Sequence, residues 1–70
     1  MELTTRNQLR GVVKRVNIGS VMAEVIVDVN GSEIVAAVTR HRVERLDLDQ
    51  GDEVIVLIKA TEVMLGKESR

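Results

Sequence analysis

Period-two alternation dominates the chain. Between residues 21 and 29, Val21, Ala23, Val25, Val27 and Val29 fall on one side, and Met22, Glu24, Ile26 and Asp28 on the other, the pattern of a β-strand. Asn30-Gly31 follows, a pair that favours a two-residue type I′ hairpin because both central positions need positive φ. Such a loop fixes the register of residues 34–39. Val27 then faces Ile34, Val25 faces Ala36 and Ala23 faces Val38, while Ile26 meets Val35 and Met22 meets Thr39 on the opposite surface. The pairing is consistent on both surfaces, so the register is specified.

The flanking segments complete the outline. Residues 9–16 predict a first strand, with Gly11 as a bulge or close-approach point, and Asn17-Ile18-Gly19-Ser20 carries turn chemistry. Val43 and Leu46, three apart among Arg40, His41, Arg42, Glu44 and Arg45, predict one or two helical turns with Thr39 as N-cap. Residues 47–52 form a connector turning at Gly51, residues 53–60 another strand, and residues 62–65 a short last one. Five strands and one helical turn predict an all-β chain, a small OB-like barrel. The domain is expected to span residues 3–65, with residues 66–70 as a polar tail.

One detail bears on assembly. In residues 34–39 and 53–60 both alternating sets are largely apolar: Ile34, Ala36 and Val38 against Val35 and Ala37, then Val54, Val56 and Ile58 against Ile55 and Leu57. A sheet with one solvated face would alternate apolar with polar. Both faces here need cover. Another subunit is the expected cover, and the alternative is that the second face curls into the barrel's own wall.

Composition narrows the classes. Seventy residues leave a small core with little surplus over the entropy of ordering the chain, and natural domains of this size add disulfides, a metal or a partner. The absence of cysteine excludes disulfides, and one histidine without thiols argues against zinc. Oligomerisation remains. No stretch matches a membrane span, and Met1-Glu2-Leu3-Thr4 lacks the regions of a signal peptide, so the expected location is the cytoplasm. Ten Lys+Arg against eleven Asp+Glu, with no Phe, Trp or Tyr, argue against a nucleic-acid partner.

Catalytic constellations are weak. His41 sits alone on a charged turn, and Asp47/Asp49 and Asp52/Glu53 read as solvated carboxylates rather than an acid/base pair. No phosphate-cradling glycine motif is present, so the chain is not expected to be an enzyme. Donors for an anion are better represented. Thr4-Thr5-Arg6-Asn7 gathers two hydroxyls, a guanidinium and an amide before the first strand, and Lys59-Ala60-Thr61 ends an apolar strand with an ammonium and a hydroxyl. Two plainer readings compete: Lys59 snorkels to solvent, and Arg6 forms a surface salt bridge with Glu2 or Glu62. Spacing alone does not choose between them.

Four separated stretches carry a resemblance: Thr-x-Arg-Asn-Gln-Leu-x-Gly at residues 4–11, Gly-Ser-Val-Met-Ala-Glu-Val at 19–25, Val-Ala-Ala-Val-Thr at 35–39 and Ile-Lys-Ala-Thr-Glu-Val-Met at 58–64. Together, and in this order, they resemble the molbindins, free-standing Mop (TOBE-like) domains that bind molybdate and tungstate. The resemblance implies an OB-like barrel, a homohexamer built as a trimer of dimers, and oxyanions held between subunits without any further cofactor. By position it implies a first kind of site containing Thr4, Arg6, Asn7, Thr39, Lys59, Ala60 and Thr61. A second kind, nearer the three-fold axis, looks like the turn Gly19-Ser20-Val21 with its backbone donors. One departure stands out. Relatives often carry serine three residues after the threonine, where this chain has Arg42, so the hydroxyl contact is either lost or replaced by the guanidinium, with His41 beside it as a further source of charge.

The chemistry of such a site is consistent with a fully ionised oxyanion. Molybdate only accepts hydrogen bonds at neutral pH, and hydroxyls, amides, a guanidinium and an ammonium supply donors, the charged ones about twice as strong as neutral ones. Monohydrogen phosphate carries a proton that a carboxylate-free site leaves unpaired, at a cost of roughly 1–3 kcal/mol. Sulfate must be told apart by size. The expected function is reversible molybdate or tungstate binding for intracellular storage, buffering or delivery. The competing readings are an OB-fold binder of RNA or single-stranded DNA, which the missing aromatic stacking surface disfavours, and a purely structural oligomer.

Overall fold

The computed structural model describes residues 7–68. Four strands and one helix follow in order: β1 (Asn7–Ile18), β2 (Met22–Val29), β3 (Ser32–Thr39), α1 (Arg40–Leu46) and β4 (Glu53–Ile58). All neighbours are antiparallel, in the sheet order β3-β2-β1-β4. The β2–β3 hairpin has the register read from the sequence: Val27 opposite Ile34, Val25 opposite Ala36, Ala23 opposite Val38, Ile26 opposite Val35 and Met22 opposite Thr39. Its turn is of the predicted kind, with φ of 51° at Asn30 and 89° at Gly31.

The two readings of Gly11 separate in β1. Gly11 is a close-approach point and not the bulge: a Cβ there would meet Val27 Cγ1 at 2.6 Å, Asp28 O at 2.8 Å and Val29 Cγ2 at 2.9 Å. The register shift lies between Val13 and Arg15, leaving Lys14 as the extra residue. The shift switches the parity of the strand, so that Val13 and Val16, three apart, both face the core. Val13 is pinned there because its N–H donates to Asp52 O and its carbonyl accepts from Gly51 N–H, both at 2.8 Å. The bulge thus joins β1 to the connector ahead of β4.

The core is small and made of valine. Val13, Ala23, Val25, Val27 and Val43 are buried together, with Val16, Val29, Ala36, Val38, Leu48, Val54 and Val56 packed against them. Ile26, on the other face, is buried apart from this cluster, with Arg15 and Val35 opposite it on the adjacent strands. Helix α1 contributes Val43 alone; Leu46, expected on the same face, is exposed. The reason is the helix end. Asp47 takes a left-handed conformation (φ 51°), its N–H donates to Glu44 O at 3.2 Å, and Leu48 N–H donates to Val43 O at 3.1 Å. These are the two bonds of a Schellman ending, which turns Leu48 back beside Val43 and fills the place Leu46 was expected to take.

The fifth strand does not form. Ala60–Glu62 is a single 3-10 turn, closed by Glu62 N–H to Lys59 O at 2.9 Å, and residues 63–68 run on without regular structure. Met64 and Leu65 lie almost fully in solvent. The OB-like sheet is therefore open between β3 and β4. An apolar groove of about 260 Å³ lies along it, lined by residues of all four strands, among them Val25, Val27, Val38, Val54 and Val56.

Candidate functional site

Thr39 is fixed by its double duty. It ends β3 in an extended conformation (ψ 149°) and caps α1, its Oγ1 accepting from the Arg42 N–H at 3.1 Å. A hydroxyl that accepts from the backbone keeps its own O–H free to donate outward. Thr39, His41, Arg42, Arg45 and Leu46 line one cleft of about 400 Å³. On the same helix Arg40 is paired with Glu44, Nε to Oε2 at 3.3 Å. Among the described residues no carboxylate is paired with Arg42 or Arg45.

The turn before β2 abuts this cleft. Arg40 N–H donates to Val21 O at 2.8 Å, so the segment Gly19-Ser20-Val21 lies directly against the start of α1. The two groups that the sequence assigned to separate sites thus meet in one chain. Gly19 is not an available backbone donor there, because its N–H is spent on Met22 O at 2.8 Å. Ser20 and Val21 are exposed at the tip.

The remaining residues gather elsewhere. Asn7 opens β1 opposite Ile58, and its side-chain Nδ2 donates to Ile58 O at 3.0 Å. This bond clamps the end of β4, and the next three residues are Lys59, Ala60 and Thr61. Lys59 is exposed, with no carboxylate paired to it among the described residues. Ala60 and Thr61 form the exposed 3-10 turn. Thr4 and Arg6 lie outside the described residues.

The two clusters sit at opposite ends of β1. Asn7 and Lys59 mark its start, whereas Ile18, at its finish, pairs with Ala23, next to the Met22–Thr39 pair. A twelve-residue strand at about 3.3 Å per residue separates them by roughly 30 Å, the bulge and twist allowed for. No single small ion touches both within one chain. Among the described residues no group of three or more His, Asp or Glu gathers for a metal ion, and no helix is long and apolar enough to cross a membrane.

A short antiparallel OB-like sheet with donor-rich clusters at its two ends defines a small ligand-binding β-module. Comparison with known proteins makes this more definite: residues 3–65 match the TOBE domain, and the chain belongs to that family. It is 41% identical to a probable molybdenum-pterin-binding protein of Haemophilus influenzae, over 97% of this chain and all of that protein. A solved molybdate binding protein from Sporomusa ovata is 45% identical, with a TM-score of 0.91 over 96% of this chain and 100% of the other. MopII from Clostridium pasteurianum is 33% identical, with a TM-score of 0.90 over 94% and 100%. The resemblance read from the four motifs therefore holds along nearly the whole chain.

Sequence reasoning set His41 beside Arg42 but missed Arg45 as a further neighbour of Thr39. Their spacing was available: residues 41, 42 and 45 share one side of a helix, i to i+4 and i to i+3.

Proposed function

We propose that the chain binds molybdate and tungstate reversibly at subunit interfaces, as an intracellular store, buffer or source of the oxyanion, and is not an enzyme. The observation that carries this reading is the separation of the two donor clusters. Thr39 with Arg42, and Lys59-Ala60-Thr61 with Asn7, stand at opposite ends of one strand. A site using both is built from two chains, one end of each. Thr4 and Arg6, which precede Asn7 in the opening motif, are assigned to the same site by the resemblance alone. All these groups donate and none accepts by charge, which suits a tetrahedral dianion. The similarity to the molybdate binding protein from Sporomusa ovata supports the choice of molybdate.

Assembly as a homohexamer, a trimer of dimers, belongs to the same reading. The open groove between β3 and β4 and the exposed Val63, Met64 and Leu65 supply the apolar area for contacts between copies. A ligand that binds only the assembled form stabilises it.

Isothermal titration of the full chain with molybdate, tungstate and sulfate tests the reading. Molybdate and tungstate are expected to bind and sulfate to give no signal. Absence of heat with molybdate at micromolar protein overturns it. Lys59→Ala is expected to weaken molybdate about tenfold or more, as for loss of a charge-assisted bond, with the mass in solution unchanged.

A further inference from the structure

The chain holds three asparagines, and their surroundings differ. Asn7 donates to Ile58 O at 3.0 Å, and Asn17 donates to Glu24 Oε1 at 3.4 Å. The Asn30 side chain, exposed at the tip of the β2–β3 hairpin, has no hydrogen-bond partner among the described residues. The following residue separates them further. Gln8 and Ile18 lie within β1. Gly31 instead sits at φ 89° with open space where a Cβ would stand, and its N–H is bonded to no described residue. The Val29–Ser32 pair closes the strands beneath these two tip residues. Loop tips of this kind open at little free-energy cost, so the Asn30 backbone can rotate out of the turn.

From this we infer that Asn30-Gly31 is a self-modification site, at which the folded chain exchanges an amide for a carboxylate. The Gly31 nitrogen attacks the side-chain carbonyl carbon of Asn30. A C–N bond forms and closes a cyclic imide; the bond to the side-chain nitrogen breaks, and that nitrogen leaves as ammonia with the Gly31 proton. Water then opens the imide at either carbonyl, giving aspartate or isoaspartate at position 30, and no group is oxidised or reduced. Glycine leaves the attacking nitrogen unshielded, and hydroxide speeds the step by removing its proton. The product works against its own turn. Isoaspartate adds a methylene to the main chain, so the loop no longer matches a type I′ turn. Either product adds a carboxylate to a hairpin end where Asp28 and Glu33 already oppose one another. None of this depends on the molybdate reading.

The test incubates the full folded chain at mildly acid and at alkaline pH, at fixed ionic strength, alongside the same chain unfolded in urea. Digestion and peptide mass read the conversion at each asparagine, and labelling by an isoaspartyl methyltransferase reads the isoaspartate. Conversion at Asn30 in the folded chain is expected to run within about tenfold of the unfolded chain's rate. It is expected to be faster at alkaline pH and to leave Asn7 and Asn17 as amides. Asn30→Gly keeps a residue pair that a type I′ turn accepts, and is expected to retain the parent's circular dichroism and give no isoaspartate. A folded rate lower by more than about tenfold overturns the site, because the turn then protects the amide. Equal conversion at Asn7 or Asn17 overturns it too, as does isoaspartate persisting in Asn30→Gly. On ageing, the thermal midpoint of the parent is expected to fall while that of Asn30→Gly holds; equal shifts overturn the effect on the turn.

Discussion

Gly11 has no side chain because the neighbouring strand β2 leaves no room for one. The three atoms that a Cβ would meet, all below 3.0 Å, belong to β2, one of them a backbone carbonyl that cannot swing aside. Gly11→Ala is therefore expected to destabilise the fold by about 1–3 kcal/mol, the usual cost of overpacking, read as a lower midpoint in urea. The Lys14–Glu33 pair is a different kind of contact, exposed and charged. The hydrogen bond and charge of Lys14, with a lesser contribution from Arg15, hold the Glu33 carboxyl below its ordinary value of 4.5. A depressed carboxylate stabilises the fold above its unfolded value and loses that effect as pH falls through the folded one. In Lys14→Ala the Glu33 midpoint, followed by NMR titration, is expected to rise toward 4.5, and the difference in acid sensitivity to shrink in high salt.

Among the elements, what was legible in the sequence was whatever local chemistry specifies without help. Asn30-Gly31 set a turn, the turn set a register, and every pair read from it holds in the β2–β3 hairpin. Thr39 before an apolar-periodic run marked the cap of α1. The bulge at Lys14 was not legible, because it is imposed by Val13 bonding to Gly51 and Asp52, almost forty residues away. The end of α1 at Leu46 was legible, but the exposure of Leu46 was not: Asp47 adopts a left-handed conformation usually signalled by glycine, and that choice turns Leu48 inward in its place. The motifs named candidate site residues, but nothing in their spacing said that two groups would lie at opposite ends of β1. Thr39 joins both levels. Thr39→Ala is expected to cost about 1 kcal/mol of stability through the lost cap, seen in thermal melts, and also to weaken molybdate binding. Thr39→Ser, which keeps the hydroxyl, is expected to retain most of both.

At the scale of the whole molecule, the apolar groove and the bare Val63-Met64-Leu65 segment are the unfinished parts. Replacing Met64 and Leu65 together by serine removes apolar area that, in the isolated chain, is already in water. If these side chains pack on another copy, the double variant is expected to sediment at a lower mass than the parent while its β-sheet circular dichroism persists. Unchanged mass at all concentrations argues that assembly uses other surfaces. The same openness has a cost for a newly made chain. β3 and β4 are the margins of the sheet, and neither has a further strand beside its outer edge among the described residues. The chain contains no proline to blunt them, and residues 54–58 run Val-Ile-Val-Leu-Ile without a charge. Uncovered edges of this composition are templates for cross-β stacking. Under the proposed assembly, a free chain faces two bimolecular fates, ordered pairing or aggregation, and its solubility depends on how quickly it meets a folded copy of itself.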